Sequence, residues 1–152
     1  MPTNRSDRTL YKFLQQTVEK YMTRNVKTVT RDLSVRELNE MFERDDFNTY
    51  PVDEDSQIVG LVTKFDVLKC FAFTPSQMVP HYDDLMNRTV ADIMTSAYIY
   101  VAADTRLTRV LQLMVEHRIR SIPVMDNEHR LVGIVTRRDV LRALSASAES
   151  GK

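Results

Sequence analysis

GLVTKFDVLKC at residues 60–70 returns, little altered, as GIVTRRDVLRA at residues 133–143. Each copy closes a longer repeated stretch: Met22-Thr23 corresponds to Met94-Thr95, and Tyr50-Pro51-Val52 to Ile122-Pro123-Val124, both at an offset of 72. Beyond the prolines the offset becomes 73, since Gly60 matches Gly133, Thr63 matches Thr136 and Asp66 matches Asp139. One residue added between Val124 and Leu131 accounts for the change. It belongs in a turn, because a one-residue slip inside a strand would carry every side chain to the opposite face. A repeat that keeps its register around a single insertion is a duplicated structural unit.

Outward from these stretches, each copy reads as strand, helix, strand, strand, helix. In the first, 27–29 is a short β-prone piece, and Ser34 with Glu37 has the spacing of a capping box opening a helix whose Val35, Leu38, Met41 and Phe42 share one face. Residues 49–52 and 58–62 form a strand pair across the polar turn 53–56, and a second helix runs over 64–71. The second copy repeats this with strands at 99–101, 121–125 and 131–135 and helices at 106–117 and 137–144. The fold class expected is therefore α+β, two βαββα repeats. The boundaries are an N-terminal helical extension over 1–17, a first repeat over 18–70, a connection over 71–89 with a helical stretch near 82–86, a second repeat over 90–144, and a disordered tail over 145–152. In the extension, Leu10, Phe13, Leu14 and Val18 give an amphipathic face that would cover an apolar surface or a partner. Each repeat alone is small enough to be marginal, so mutual packing is expected.

Composition narrows the function classes. The formal net charge is zero, which gives no reason to name nucleic acid as a partner. No apolar run approaches the roughly 20 residues of a membrane span, and the start, MPTNRSDRTLYKF, lacks the apolar core of a signal peptide. The single cysteine, Cys70, excludes an intrachain disulfide and fits a reducing, cytoplasmic setting. Net neutrality conceals an asymmetry. Residues 33–69 hold nine acidic and four basic side chains, whereas 105–142 hold four acidic and eight basic. Such faces can be solvated, can attract an anion to the basic half, or can attract each other in a head-to-tail dimer.

The repeated Gly-apolar-Val-Thr-x-x-Asp places a threonine where a strand ends and an aspartate three residues into the next helix. Two roles fit Thr63, Asp66, Thr136 and Asp139. They are N-cap and N3 residues satisfying orphan backbone N–H groups, or they receive the 2′- and 3′-hydroxyls of a ribose. The roles are compatible. His81, His117 and His129 lack the companion spacing of a metal site, and Cys70, although near His81 and Asp83 in sequence, has no motif to hold an oxyanion. No catalytic or metal residue is therefore assigned, and no cofactor is required.

The paired Met-Thr, β-prone segment, helix, x-Pro-Val and Gly-h-h-Thr-x-x-Asp pattern resembles a tandem pair of cystathionine β-synthase (CBS) domains, the Bateman module, in a stand-alone CBS-domain protein. The resemblance implies repeats packed sheet to sheet about a pseudo-twofold axis, with two clefts that take adenosine-containing ligands. One cleft would combine Asn25, Val26 and Phe47 with Thr136 and Asp139. The other would combine Ala97, Tyr98 and Ile119 with Thr63 and Asp66. Backbone and apolar groups would hold the base, and Thr and Asp the ribose. At the phosphate end, Arg120, Arg137 and Arg138 in the second repeat have Asn48, Lys64 and Phe65 as their first-repeat counterparts, so three cationic positions become one, Lys64, and unequal clefts are expected. The implied ligand is AMP, ADP or ATP, with S-adenosylmethionine and NAD as further candidates. The implied role is that of a regulatory homodimer signalling to an unidentified partner protein. A different class of function remains open, a constitutive dimerisation scaffold that binds no nucleotide.

Overall fold

The computed structural model describes residues 5–76 and 78–149, and the chain divides into two compact units that do not follow the order of the sequence. Among the described residues, unit 1 takes those up to Val26 and those from Ile99 onward, and unit 2 is Lys27–Tyr98.

Unit 2 contains β1 (Val29–Thr30), α3 (Val35–Asp45), β2 (Thr49–Glu54), β3 (Gln57–Thr63), α4 (Lys64–Lys69), α5 (Tyr82–Met86) and α6 (Val90–Ile93). Its sheet has the order β1-β2-β3, with β1 parallel to β2 and β2 antiparallel to β3. Unit 1 contains α1 (Arg5–Gln15), α2 (Val18–Tyr21), β4 (Val101–Ala102), α7 (Leu107–His117), β5 (Ser121–Met125), β6 (Leu131–Thr136) and α8 (Arg137–Glu149), with the equivalent sheet β4-β5-β6. The protein is thus α+β, with two three-stranded sheets.

Three sequence features explain these sheets. Pro51 and Pro123 sit in central strands, yet β1 and β4 begin pairing only at Val52 and Val124, so the missing N–H faces no neighbour on that side. The β2–β3 turn is the two-residue Asp55-Ser56, with φ of 52° and 65°, the signature of a type I′ hairpin. In unit 1 the turn closes with Asp126 N–H bonded to the Arg130 carbonyl, and the Asp126 carboxylate accepts from the N–H groups of Glu128 and Arg130. The one-residue insertion therefore lies in this turn, and both strands keep register.

The initial segments of the two repeats change places. Met22 and Thr23 lie over Gly133 in unit 1, and Met94 and Thr95 lie over Gly60 in unit 2. Thr23 and Ile134 exchange backbone hydrogen bonds of 2.8 and 2.9 Å, as Leu61 and Thr95 do at 2.9 and 2.8 Å. A Cβ on Gly133 would stand 2.7 Å from Met22 Sδ and 2.9 Å from the Thr23 carbonyl; on Gly60 it would stand 2.8 Å from the Thr95 carbonyl. Glycine is needed here for close approach of a second backbone, not for its dihedral freedom. The core of unit 1 accordingly includes Phe13, Val18 and Met22 beside Leu107, Val110, Ile122, Val124 and Val135, and that of unit 2 includes Val90 beside Leu38, Phe42, Tyr50, Val52 and Val62.

Several expectations need correction. The tail expected from residue 145 is helical as far as Glu149: Ser147 is buried, donates its hydroxyl to the Ala143 carbonyl, and lies on a helix packed by α1. Its alanines favour helix more than the serine-rich composition disfavours it. Residues 150–152 lie outside the described residues. In the extension, Phe13 and Val18 are buried but Leu10 and Leu14 are exposed; α1 ends at Gln15 and Val18 begins α2, so the four do not share one helical face. Only half of the Ser34 box forms: its hydroxyl accepts from Glu37 N–H at 3.1 Å, while Glu37 is exposed to solvent.

Unit 2 has a polar network without a counterpart in unit 1, where Ile122 replaces Tyr50. The fully buried Tyr50 donates to Asp45 at 2.9 Å and lies 3.0 Å from the Met41 carbonyl, and Asp45 also receives Lys27 at 3.1 Å and Arg44 at 3.2 Å. Hydrogen bonds from Arg44, then Tyr50 and Lys27, hold the Asp45 carboxyl down to about 2, against the opposing effect of burial. A depressed folded-state pKa contributes stability that is fully present above the ordinary carboxylate value of about 3.9 and is lost as pH falls toward the folded value. Asp45→Asn is therefore expected to flatten the acid limb of the stability curve below about pH 4. Chemical denaturation at a series of pH values checks this, and an unchanged acid limb would be the contrary result.

Candidate functional site

The Thr-x-x-Asp stretches are placed by the strand–helix junctions that their own caps create. Thr63 ends β3 in an extended conformation and opens α4. Its hydroxyl accepts from Asp66 N–H at 3.2 Å and donates to Asp66 Oδ2 at 3.1 Å, while Thr63 N–H donates to the same oxygen at 2.8 Å. Thr136 and Asp139 repeat the arrangement, at 2.9 Å from the backbone, 3.1 Å from the hydroxyl and 3.4 Å for the return bond. Both carboxylates are buried, 5% exposed for Asp66 and 3% for Asp139. Their other oxygens meet a basic side chain one turn on, Lys69 at 3.0 Å and Arg142 at 3.4 Å. The capping role is thus realised in full. A carboxylate has about four acceptor directions, so Oδ1 of each aspartate keeps capacity for a further donor.

In unit 1 the Thr23 hydroxyl reaches Asp139 Oδ2 at 3.4 Å, joining the first repeat's Met-Thr to the second repeat's Thr-x-x-Asp. Sequence reading singled out Met22-Thr23 as a repeat marker and missed this contact. The signal was available in the expected grouping of Asn25 and Val26 with Thr136 and Asp139, which carries Thr23 along with it. The same crossing brings Asn25 and Val26 into unit 1 with Thr136 and Asp139, and Ala97 and Tyr98 into unit 2 with Thr63 and Asp66. Asn25 has φ of 56°, and the half-buried Tyr98 donates its hydroxyl to the Ile58 carbonyl at 2.9 Å. Phe47 packs edge-on against Tyr50 in unit 2, and Ile119 packs on the core of unit 1, so each lies in the other unit from the Thr–Asp pair it was expected to join.

The two units differ in charge at the same place. Arg137 N–H donates to the Arg120 carbonyl at 3.2 Å, and Lys64 N–H to the Asn48 carbonyl at 3.1 Å, so each Thr-x-x-Asp stretch abuts the residue that precedes strand β5 or β2. Just before these, Arg118 and Asp46 end α7 and α3 in matching left-handed conformations, both with φ of 54°. Unit 1 thus gathers Arg118, Arg120, Arg137 and Arg138, exposed and without an ion pair among the described residues. Unit 2 has Asp46, Asn48, Lys64 and Phe65 at the matching positions. Lys64 lines a shallow groove between α3 and α4 with Asn39, Phe42, Glu43, Val67 and Leu68.

The CBS domain family profile matches this chain twice, at residues 18–72 and 90–146. The chain belongs to the CBS domain family. Among solved structures, CBSX2 in complex with AMP is similar with a TM-score of 0.72 and 28% identity, over 86% of this chain and 96% of that one. The CBS domain pair of protein MJ0100, in complex with 5′-methylthioadenosine and S-adenosyl-L-methionine, gives 0.72 and 26% over 86% and 97%. Among curated relatives, the chloroplastic CBS domain-containing protein CBSX1 of Arabidopsis thaliana is 31% identical over 89% of this chain and 66% of its own. Homoserine O-acetyltransferase of Methanosarcina acetivorans is likewise 31% identical, over 78% of this chain but 20% of that enzyme. The chain spans between 20% and 66% of the curated relatives it matches first, which include enzymes carrying a CBS region. Related CBS pairs therefore bind adenosine compounds, and no helix among the described residues is long and apolar enough to cross a membrane.

Proposed function

We propose that this chain is a regulatory CBS pair that binds adenosine-containing ligands of the AMP, ADP or ATP class, one site per unit, and passes the state of those sites to a partner protein. The observation that carries this reading is the pair of buried, capped aspartates, each in a unit that also holds the Met-Thr segment of the other repeat and each retaining acceptor capacity. Thr136 and Asp139 would hold the ribose in unit 1, with Thr23, Asn25 and Val26 beside them; Thr63 and Asp66 would do so in unit 2, with Ala97 and Tyr98. Ile119 in unit 1 and Phe47 in unit 2 would contribute to the base, each in its own unit's site rather than in the one first expected. Arg120, Arg137 and Arg138 would meet phosphate in unit 1. Lys64 is the one cation at the matching place in unit 2. The likeness to CBS pairs crystallised with AMP and with S-adenosylmethionine supports the ligand class.

Signal transfer needs surfaces that a partner can read. Met78, Val79 and Tyr82 on the segment between the repeats are exposed, as are Leu111, Val115 and Leu141 on α7 and α8 and Phe65 and Leu68 on α4. Exposed apolar positions of this kind favour homodimerisation, and the opposite charge of the two repeats favours a head-to-tail arrangement. The same faces favour the second reading, a constitutive scaffold in which the aspartates are caps and nothing more.

Calorimetric titration of ligand-free protein with AMP, ADP, ATP, NAD and S-adenosylmethionine separates the two. Asp139→Ala and Asp66→Ala are each expected to abolish binding at one site, at a stability cost of about 1 kcal/mol from the lost cap. Loss of stability without any ligand effect would select the scaffold.

A further inference from the structure

The charge difference between the two sites is large enough to change the kind of ligand, not only its affinity. We infer that the sites sort adenosine compounds by charge: unit 1 takes one whose 5′ carbon bears phosphate, and unit 2 one whose 5′ substituent bears no negative charge, such as a thioether. The inference rests on the proposed adenosine-binding role of both Thr–Asp pairs and assigns each a different ligand class.

In unit 1, the 5′ end of a ribose held by Asp139 would meet Arg120 and the start of α8. Arg118, Arg120, Arg137 and Arg138 carry four positive charges there with no acidic partner among the described residues. A neutral 5′ group would leave that field unanswered. In unit 2 the corresponding four positions carry Asp46, Asn48, Lys64 and Phe65, which sum to zero. Lys64 is the only cation of the four, and it lies along a groove beside Glu43. Asp46 holds the position of Arg118 in the same backbone conformation, so a phosphate would meet a carboxylate where unit 1 offers a guanidinium. Phe65, 67% exposed, supplies apolar surface in place of Arg138 and already lies under Lys69, 5.6 Å from its ring centre. Apolar surface with no net charge suits a thioether and penalises a dianion.

The test is a titration of the whole chain with AMP and 5′-methylthioadenosine, singly and together, at low and high salt. One equivalent of each is expected, without competition, and only the AMP affinity should fall with added salt. Arg120→Asn with Arg138→Phe should weaken AMP on the order of tenfold or more per arginine. Asn48→Arg with Phe65→Arg should create a second AMP equivalent at the expense of methylthioadenosine. Two AMP equivalents in the unmodified chain, or displacement of AMP by methylthioadenosine, would overturn the inference and leave the adenosine-binding reading intact. Binding of neither compound would overturn both. The stoichiometry of the unmodified chain decides the matter should a variant fail to fold.

Discussion

Removal of residues 1–26 is expected to unfold the part of the chain that lies at the other end of the sequence. Everything from Ile99 onward would still be present, including all three strands of the β4-β5-β6 sheet and helices α7 and α8. Unit 1 would nevertheless lose Phe13, Val18 and Met22 from its core, at 6%, 0% and 8% exposure. It would also lose the backbone bonds from Val18 to Thr105, Glu19 to Ala103, Leu107 to Gln16 and both bonds between Thr23 and Ile134. Side chains of this size contribute about 1.5–3 kcal/mol each when buried, so the loss is on the order of 5 kcal/mol before the backbone is counted. That is comparable with the whole stability of a small domain, about 5–15 kcal/mol. Nitrogen–proton correlation spectra of the truncated chain should show collapsed signals for residues 99–149 and dispersed signals for 27–98, whose core does not use the deleted residues. Dispersed signals throughout would mean that the two repeats fold as they are written.

The second large effect concerns the glycines. Gly133→Ala places a methyl group against Met22 Sδ and the Thr23 carbonyl, both under 3 Å. Gly60→Ala meets the Thr95 carbonyl at 2.8 Å. A sulfur at the end of a flexible side chain can move, but a carbonyl fixed in a two-bond bridge cannot, so overpacking should cost about 1–3 kcal/mol at each position. Met22→Ala in the Gly133→Ala background should restore only part of it, because the carbonyl clash remains. Thermal melting of the three variants checks this. Full restoration by Met22→Ala would show that the sulfur alone set the need for glycine, and an unchanged melting temperature in Gly133→Ala would remove the close approach from the account.

These two effects also show how far the sequence could be read. The strands, helices and the inserted turn residue are local features, written in apolar periodicity, caps and turn chemistry, and they fall within a few residues of expectation. Thr63 with Asp66 and Thr136 with Asp139 were legible for the same reason: a cap joins residues three apart. The exchange of Met22-Thr23 and Met94-Thr95 between units is a tertiary choice with no local signature, since the two Met-Thr pairs are identical and either could have packed on either sheet. Only the glycines register it, through space that a Cβ would fill. The extent of α8 was misread because serine and alanine in a terminal stretch suggest disorder until a packing partner, here α1, is known. The contact of Thr23 with Asp139 has no local signature either; it follows from the grouping of Asn25 and Val26 with Thr136 and Asp139 that the family resemblance implied.

On the proposed reading the exchange would tie folding to ligand binding, since it places the first repeat's 23–26 in one unit with the second repeat's Thr136 and Asp139. Hydrogen exchange with and without saturating AMP tests that link most directly. The account predicts that amides at 23–26 and at 137–140 become protected together and to a similar degree, although more than a hundred residues separate them in the chain. Protection at one of these stretches without the other, or at neither, would contradict it.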